Sequence, residues 1–586
     1  MTLIAGIFSR KPGHQLSQTM CDDLTREISR HPNDEIVVMK DSRSFFVKVD
    51  VGAFAEPASY VAPDNSLSLL TGEPLLLVDE DGSWQSRKDD LTLIHEDLAG
   101  GHWDILKKAQ GVFCVVYYNP STGVLRLMSD KLGIRPLYYC IDDEHVVFAS
   151  ALRILEALTE VPKIMDLRAI TEIVGLGYPL ANRTPYANIS VLAEAEVVTI
   201  DERAVAHSSY WRWDDIEPSL ENEEHLLDRL HDRFTNAVAR RIRNDKSTVS
   251  FLSGGLDSRC VVSALNSLGI RVHTFNFARP GTQDHILGNN FARQIGTIHE
   301  SHPKQHGDLR PDYSSLLSQV WHRSRLRLNA KVERPSAAWS GEGGSGSLGH
   351  LHVTETICDL MRAGDVDGAV EEFVRGELVY LSPKLFKSEM FNHLTDVLHK
   401  GIKAELLRFH NADAARNFYL FIMLNDQRRK LADHFENIDL HRLEYQLPFF
   451  DSDFLSQIMR TPIDWCIGHG FYNKWLSRFD SAVTSVPWQS YPGHANCPVP
   501  LPEGLDYQWA KSYQTSERAF NKQQLLKRAG TILRSTDFPS EILNKKNLLL
   551  ATVAHATGWR DCEHIIETAQ TFHSYWKTCR GAYVAP

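Results

Sequence analysis

The chain has 586 residues, 43% hydrophobic and 23% charged, which is typical of a globular protein too long for a single core. Its formal net charge of -11 argues against a general nucleic-acid binder, which leaves a basic footprint. The sequence contains no run of about 18 apolar residues, so we predict no membrane span. The N-terminus lacks the pattern of a signal peptide. Nine scattered cysteines without a CxxC pair favour reduced thiols in the cytoplasm. We therefore expect no nucleic acid and no membrane among the partners.

Residues 1–205 contain short apolar runs separated by turn signals such as Asn119-Pro120. The runs predict a layered, β-rich domain with strands at Leu3–Phe8, Ser44–Val51, Gly111–Tyr118, Val124–Met128 and His145–Phe148, and a last strand region at Leu192–Asp201. The polar and aromatic stretch 206–222 contains a proline, and we predict that it links two domains.

Residues 223–586 form the second predicted domain. Its first segment has apolar residues at helical spacing and predicts an amphipathic helix that ends near Asn244. The pattern then changes to a strand at Thr248–Leu252, a Ser-Gly-Gly turn, a helix at Arg259–Leu268 and a strand at Arg271–Phe277. Such a strand–helix–strand unit favours a parallel sheet. Residues 355–480 are mostly helical in pattern.

The strongest functional signal is the hexapeptide between this strand and helix, Ser253-Gly254-Gly255-Leu256-Asp257-Ser258. Its glycines let backbone amides approach an anion, and the helix that follows presents free N–H groups and a positive dipole end. The serines add hydroxyl donors, and Asp257 can hold Mg²⁺ against phosphate oxygens. A glycine-rich turn without a ligand is the alternative, but the whole hexapeptide in this context favours a phosphate site. It is not a Walker A loop, because Gly-Lys-Ser/Thr is absent.

The hexapeptide resembles the pyrophosphate loop of the ATP-pyrophosphatase superfamily, and within it the chain resembles the asparagine synthetase family. Further matching segments are Ala5–Phe8, Asp130–Tyr139, Phe148–Ser150, Thr274–Phe275, Ser340–Gly344 and Glu444–Asp451. The resemblance implies a two-domain α/β fold. An N-terminal nucleophile (Ntn)-hydrolase-like αββα domain is followed by an ATP-pyrophosphatase (adenine nucleotide alpha hydrolase-like) parallel-sheet domain with a helical extension. It also implies ATP and Mg²⁺ as cofactors.

The glutaminase half departs from the family pattern. A glutaminase of this family needs an N-terminal cysteine, whose thiolate attacks the glutamine amide, and the matching residue here is Ala5. The Asn-Gly pair that contributes to the oxyanion hole matches Thr71-Gly72. Both changes together predict that glutamine hydrolysis is lost. Exposure of Thr2 as a nucleophile after removal of Met1 is a weaker alternative, and Cys21 is internal.

The synthetase half departs at Ser345, where family members have an aspartate that binds a second magnesium ion. A serine hydroxyl is a weak ligand beside a carboxylate. Asp284, in the loop after the second strand, is predicted either to supply an additional acid or to cap a helix.

By resemblance, the ATP-binding residues are Leu252, Ser253, Gly254, Gly255, Leu256, Asp257, Ser258, Phe275 and Gly341, with Asp257 as the metal ligand. The implied catalytic residues are Glu342, Glu444 and a lysine near the C-terminus. Glu444 opens the family's Glu-x-x-x-Pro-Phe-x-Asp motif and is predicted to take the proton of the amine. The family's lysine aligns with Asn547, so we choose Lys546, with Lys545 as the alternative. The tyrosine of the Tyr–Glu dyad of β-lactam synthetases matches Glu342, so that dyad is not intact.

Three other features are not predicted to take part in catalysis. Asp451 is predicted to be structural, capping a helix. Arg428 and Arg429 are predicted to form a surface pair rather than to touch phosphate. His350 and His352 lack further ligands at a suitable spacing, so we do not predict a metal site there.

The sequence thus predicts an ATP-dependent amide synthetase that adenylates a carboxylate and no longer uses glutamine. The resemblance to lasso-peptide cyclases favours macrolactam formation in a ribosomal precursor peptide, with a protease or leader-binding protein as partner. Amidation of a small acid or sugar carboxylate by ammonia, and β-lactam ring closure, are alternatives. Another is a nucleotide-binding pseudo-enzyme that acts as a partner subunit, which Ser345 motivates.

Overall fold

The computed structural model describes residues 2–54, 56–76, 86–303, 312–323, 331–376, 381–505, 507 and 515–586, with backbone alone for 323 and 515–520. Within these ranges the molecule consists of a β-rich N-terminal domain and a C-terminal domain built on a parallel sheet.

Two antiparallel sheets form the centre of the N-terminal domain. The described strands of this domain are β1 (Thr2–Ser9), β2 (Ile36–Lys40), β3 (Ser44–Asp50), β4 (Ser59–Val61), β5 (Leu67–Gly72), β6 (Phe113–Asn119), β7 (Val124–Ser129), β8 (Tyr138–Ile141), β9 (His145–Ala149), β10 (Met165–Asp166), β11 (Ser190–Val191), β12 (Glu196–Ile200) and β13 (Val205–Ser209). The strand orders are β11-β8-β9-β1-β3-β2 and β13-β12-β7-β6-β5-β4, while β10 pairs separately with β19 (Tyr583–Val584). Side chains of alternating residues, such as Ile4 and Phe8, pack between the two sheets with Val116 and Leu127.

Helices cover both outer faces of this sandwich. Helix Arg87–Ala99 packs Leu91, Ile94 and Leu98 on the second sheet, while Met20 and Leu24 of helix Gln18–Glu27 share the core of the first. Further helices of the domain are Asp104–Lys108 (3₁₀), Leu152–Ala157 and Leu167–Leu176. The resulting layers confirm the predicted αββα arrangement.

The predicted linker, residues 206–222, begins inside the edge strand β13, which pairs with β12. Two aromatic residues after it pack on the first domain: the Tyr210 hydroxyl donates to the Ser129 carbonyl, and the Trp213 indole donates to the Lys131 carbonyl. The chain therefore leaves the N-terminal domain after the short 3₁₀ helix Trp213–Asp215.

A five-stranded parallel sheet forms the C-terminal domain, which confirms the predicted sheet type. Its strands are β14 (Ser247–Phe251), β15 (Arg271–Asn276), β16 (Ile298–Ser301), β17 (Ala337–Trp339) and β18 (Glu444–Gln446), in the order β16-β15-β14-β17-β18. Because the chain extends the sheet first to one side of β14 and then to the other, β14 and β17 flank a topological switch point. Ligands of open α/β sheets bind at such points, outside the carboxyl ends of the strands.

Helices surround this sheet and form the predicted extension. Described α-helices are Glu223–Ile242, Asp257–Ser267, Gln283–Ile295, Tyr313–Arg323, Gly344–Ser347, Glu355–Arg362, Val366–Gly376, Ser388–Leu394, Val397–Leu406, Ala415–Phe421, Ala432–Glu436, Ile438–His441, Ser452–Arg460, Ile463–Cys466, Gly470–Trp475, Ser481–Ser485, Thr515–Arg534, Lys545–Thr557 and Glu563–Thr578. Ile422–Gln427 is π-helical, and the 3₁₀ turns are Pro448–Phe450, Ile467–His469 and Leu476–Arg478. Among the described helices, we find no stretch with the length and apolarity of a membrane span.

Candidate active site

A cavity of about 320 Å³ opens at the switch point of the parallel sheet. One side is formed by the end of β14 and the hexapeptide that follows it, and the other by the turn after β17. Phe275 and Phe277, at the end of β15, add an aromatic wall, and the Phe275 ring stacks near the His302 imidazole at 6.0 Å. The location matches the expectation for a parallel sheet and lies where the hexapeptide predicts a phosphate site.

The hexapeptide turns tightly between strand and helix. The Ser253 amide donates to the Ser258 hydroxyl at 3.0 Å, and the Gly255 amide donates to Ser253 Oγ at 3.2 Å. The Gly254 amide donates to Asp284 Oδ1 at 2.6 Å, and a Cβ on Gly254 would lie 2.8 Å from the Asp284 Cα. Asp284 therefore braces the loop, and Thr282 rather than Asp284 caps the helix Gln283–Ile295.

Asp257 is a half-buried carboxylate at the start of the helix Asp257–Ser267. It accepts hydrogen bonds from the Ser345 amide and hydroxyl at 3.0 Å, and from the Tyr472 hydroxyl at 2.7 Å. Burial raises the pKa of Asp257 to about 6, although these donors oppose the shift. A Cβ on Gly344 would lie 2.5 Å from the Asp257 Cγ, so glycine is needed there for the close approach.

The donor set around Asp257 fits a magnesium ion, because carboxylate and hydroxyl oxygens are the ligands Mg²⁺ prefers. Asp257 is the carboxylate that would hold the ion. Ser345 lies where a second carboxylate is expected, and its hydroxyl instead donates a hydrogen bond to Asp257. Asp284 also lines the cavity and supplies a second acid near the loop.

Most of the predicted nucleotide-binding residues meet at this cavity. Its lining includes Leu252, Ser253, Gly255, Leu256, Asp257, Ser258, Phe275 and Gly341. Gly254 supports the loop from behind. Glu342 lines the cavity with an exposed side chain, so its carboxylate is accessible to a substrate.

Glu444, predicted as the proton acceptor of the amine, faces away from the cavity. Successive side chains of a strand point to opposite faces, so Tyr445 lines the cavity whereas Glu444 and Gln446 face the N-terminal domain. The Glu444 carboxylate accepts two hydrogen bonds from Arg135 Nη1, at 2.8 and 3.1 Å, and both side chains are at most 5% exposed. In this arrangement Glu444 joins the two domains and is not placed to receive a proton.

The predicted catalytic lysines also lie outside the cavity. Lys545 and Lys546 are exposed on the first turn of helix Lys545–Thr557, and the Lys545 ammonium lies 5.3 Å from the Phe538 ring centroid. Asn547, at the family's lysine position, donates to the Lys384 carbonyl. Among the described residues that line the cavity, the lysine present is Lys430, which the sequence reasoning missed.

The prediction that Arg428 and Arg429 form a surface pair is wrong. The Arg428 guanidinium is 3% exposed and donates to the carbonyls of Gly133, Ala181 and Leu192. Arg429 donates to the Ala181 carbonyl at 2.7 Å. Both arginines thus bind loops of the N-terminal domain, and burial lowers the pKa of Arg429 to about 9.

The remaining motif residues have structural environments. Asp451 accepts the amides of Asp453 and Phe454 at the start of helix Ser452–Arg460, which confirms the predicted cap, and also pairs with the buried Arg241. His350 is buried and stacks on Tyr419 with ring centroids 4.3 Å apart.

The position that matches the glutaminase nucleophile is part of the core. Ala5 is fully buried in β1 and pairs with Val47 on one side and Ala149 on the other. Thr2 is also fully buried, and its hydroxyl donates to Asp50 at 2.6 Å, so it is not placed as an exposed nucleophile. Met1 lies outside the described residues.

An arginine fills the space beside the start of this strand. The buried Arg87 guanidinium donates to the Gly72 and Glu56 carbonyls and to Thr2 Oγ1, and lies 4.7 Å from the Phe54 ring centroid.

The Thr71 hydroxyl, at the predicted oxyanion position, accepts from Arg135 Nε at 2.8 Å. The cavity that remains between Gly72 and the C-terminal domain has about 20 Å³, which is enough for a water molecule. A glutamine side chain has no room there.

Several residues of the site carry no motif signal in the sequence. Tyr472 reaches Asp257 from a helix far along the chain, and Gln427 packs against Gly346, where a Cβ would lie 2.4 Å from the Gln427 Cδ. His469 and His494 line the cavity with their Nδ1 atoms 2.7 Å apart. These residues come from loops and helix ends, whose mutual position a single sequence does not reveal.

Two family models each match a part of the chain. A glutamine amidotransferase domain is matched over residues 76–211 and an asparagine synthase domain over residues 229–335. Among curated proteins, a putative glutamine-hydrolysing asparagine synthetase of Methanocaldococcus jannaschii is 27% identical over 31% of this chain and 36% of its own length. Asparagine synthetase 3 of Bacillus subtilis is 25% identical over 27% of this chain and 26% of its own length. The chain therefore matches only about a third of these relatives or less.

Among solved structures, the glutamine phosphoribosylpyrophosphate amidotransferase of Bacillus subtilis aligns with 51% of this chain and 80% of its own, at 11% identity and a TM-score of 0.23. A similarity this distant carries no argument about function.

Proposed function

Since the chain belongs to the asparagine synthetase family, we propose that it is an ATP-dependent carbon–nitrogen ligase that adenylates a carboxylate and couples it to an amine. The observation that carries the proposal is the Ser253–Ser258 loop at the switch point of the parallel sheet, with the half-buried Asp257 near its end. A loop of this kind suits a polyphosphate, and a cavity of about 320 Å³ is in the usual range for a small ligand.

The proposed reaction has two steps. A carboxylate oxygen attacks the α-phosphorus of ATP, the bond to the β-phosphate oxygen breaks, and pyrophosphate leaves with that electron pair. The amine nitrogen then attacks the acyl carbon, and AMP leaves. Ser253, Ser258 and the helix N-terminus would stabilise the charge of the departing pyrophosphate. Mg²⁺ held by Asp257 would neutralise phosphate charge.

The ammonium form of the amine must lose a proton before it attacks. Glu342 is the exposed carboxylate of the cavity, whereas Glu444 is bound to Arg135, so we assign the role of proton acceptor to Glu342. This assignment replaces the one drawn from the motif alone.

Glutamine is not the source of the amine in this proposal. Ala5 offers no nucleophile, and Arg87 fills the space between Gly72 and Thr2, at the start of the same strand. The amine is then either part of the substrate or free ammonia. We favour an amine in the same molecule, and hence macrolactam formation in a lasso-type precursor peptide, with a protease or leader-binding protein as partner in the cytoplasm.

Exchange of radiolabel between pyrophosphate and ATP tests the first step directly. Wild-type protein is incubated with Mg·ATP, labelled pyrophosphate and one acid at a time: a peptide with a side-chain carboxylate and a free N-terminal amine, free aspartate with ammonium, or a sugar acid. Exchange with the peptide, and loss of one water from it by mass spectrometry, would support the cyclase.

The other outcomes are equally decisive. Exchange with aspartate or the sugar acid would favour the ammonia-using alternative. No exchange with any acid, together with nucleotide binding, would favour the pseudo-enzyme. The control is Asp257→Asn, which keeps the size of the side chain and must abolish exchange.

A further inference from the structure

The segment Ile422–Lys430 of the C-terminal domain lies between the N-terminal domain and the cavity. It begins as the π-helical turn Ile422–Gln427, in which hydrogen bonds span one residue more than in an α-helix. That wider turn changes the direction of the side chains that follow it. Such turns are rare and occur frequently at functional sites.

The side chains of this segment face two different environments. Gln427 and Lys430, three positions apart, line the cavity, and Gln427 packs against Gly346 of the turn that carries Ser345. Arg428 and Arg429, between them, point the other way and bind carbonyl groups of the N-terminal domain. The segment is therefore bound to the N-terminal domain on one side, and on the other side it presents an amide and an ammonium group to the cavity of the C-terminal domain.

The anchor depends on specific features of the N-terminal domain. Arg428 Nε donates to the Gly133 carbonyl at 3.1 Å, and a Cβ on Gly133 would lie 2.9 Å from the same Nε atom. Gly133 also has a φ of +64°, which glycine adopts without strain. Arg429 Nη2 donates to the carbonyls of Ala181 and Arg183 at 2.7 and 3.2 Å.

Among the described residues that line the cavity, Lys430 is the one lysine or arginine. The same lining includes the acidic residues Asp257, Asp284 and Glu342. Its ammonium lies 3.5 Å from Asp426, and 39% of its side chain is exposed, so the side chain is free to reorient toward a bound anion. The ammonium group can stabilise the negative charge that develops on phosphate and carbonyl oxygens during the reaction.

We propose that Lys430 is the catalytic cation of the adenylation step and that the N-terminal domain, no longer a glutaminase, positions it through Arg428 and Arg429. The proposal rests on the proposed function for the reaction itself. Lys430 contacts the α-phosphate and the attacking carboxylate, and takes the role that the motif alone assigned to Lys546. It also gives the N-terminal domain a role in catalysis that does not involve glutamine.

The first test compares Lys430→Met with Lys430→Arg, Lys546→Met and wild type. Pyrophosphate exchange is measured with an acid that supports exchange in wild type, and affinity for Mg·ATP is measured by calorimetry. We expect Lys430→Met to lose about 100- to 1,000-fold in the exchange rate, as for loss of one group that stabilises transition-state charge, and Lys430→Arg to retain part of it. Affinity for Mg·ATP should fall measurably, by up to about tenfold, and Lys546→Met should match wild type in both assays.

Exchange by Lys430→Met within about threefold of wild type would overturn the assignment. If wild type exchanges with no acid, the proposed function fails and calorimetry alone decides the role of Lys430. In that case an unchanged affinity for Mg·ATP in Lys430→Met would overturn it as well.

The second test addresses positioning. Arg429→Ala should lower kcat about 10- to 100-fold with little change in KM for ATP, and Arg429→Lys should recover part of the loss. A double variant of Arg429→Ala with Lys430→Met should be no slower than Lys430→Met alone, because the arginine acts through the lysine. Additive losses would overturn the positioning role. Should Arg429→Ala fail to fold, Arg429→Lys and its double variant provide the same comparison.

Discussion

The ion pair between Arg135 and Glu444 offers a decisive test of how the two domains are joined. Glu444→Gln removes one charge and leaves the Arg135 guanidinium buried among Thr71 and Phe435 without a counter-charge. Breaking a buried pair in this way costs about 3–5 kcal/mol of folding free energy. The upper part of that range applies here, because the two side chains are only 3% and 5% exposed and share two hydrogen bonds.

The matched variant is Arg135→Met combined with Glu444→Leu. Replacing both partners by apolar groups removes the uncompensated charge, so the double variant should be closer to wild type than either single variant. Urea unfolding, followed by tryptophan fluorescence to which the buried Trp339 and Trp488 contribute, measures the free energies, and the double-mutant cycle gives the coupling energy.

Activity distinguishes this structural role from catalysis. If Glu444 only joins the domains, the folded fraction of Glu444→Gln keeps a rate of amide formation within about tenfold of wild type. The reasoning is refuted if Glu444→Gln unfolds like wild type, within about 1 kcal/mol, and yet loses the acyl-transfer step, because Glu444 would then be the proton acceptor.

Three further outcomes follow from the site. Ala5→Cys should not restore release of glutamate from glutamine, since Arg87 fills the space between Gly72 and Thr2 and the cavity beside Gly72 has only about 20 Å³; glutamate release by the variant would contradict this packing. The pKa of Asp257 is raised to about 6 by burial, so kcat/KM for Mg·ATP should fall about tenfold per pH unit below pH 6, and higher Mg²⁺ should move this acid limb to lower pH. A pH-independent rate down to pH 5 would contradict that role. Ser345→Asp places a second carboxylate about 3 Å from Asp257 and should lower the melting temperature without Mg²⁺ but strengthen Mg²⁺ binding in calorimetry; unchanged Mg²⁺ affinity would show that the position does not reach the metal.

The sequence alone sufficed for features set by local pattern. Short apolar runs bounded by turn signals predict several strands of both domains, since the side chains of a strand in a core must be buried. The hexapeptide from Ser253 to Ser258 predicts the loop, because closely spaced glycines, serines and an aspartate before a helix have few other physical uses. The replacement of cysteine by Ala5 is a chemical fact about one position and needs no structure to interpret.

Only the tertiary structure decided which side chains share the cavity. Glu444 and Tyr445 are adjacent in β18 and point to opposite faces, and which face meets ATP depends on how the two domains pack. Lys546 lies next to the aligned position, Asn547, but is exposed on a helix, whereas Lys430 reaches the cavity after a π-helical turn that no pattern in the sequence predicts.

The physical reason lies in the range of the interactions. A turn or a strand is determined by contacts among neighbours in the chain, which a sequence displays in order. The charged network of the site joins residues hundreds of positions apart, as in the hydrogen bond of Tyr472 to Asp257. Its members are selected by the packing of whole domains, and that packing is visible only once the chain has folded.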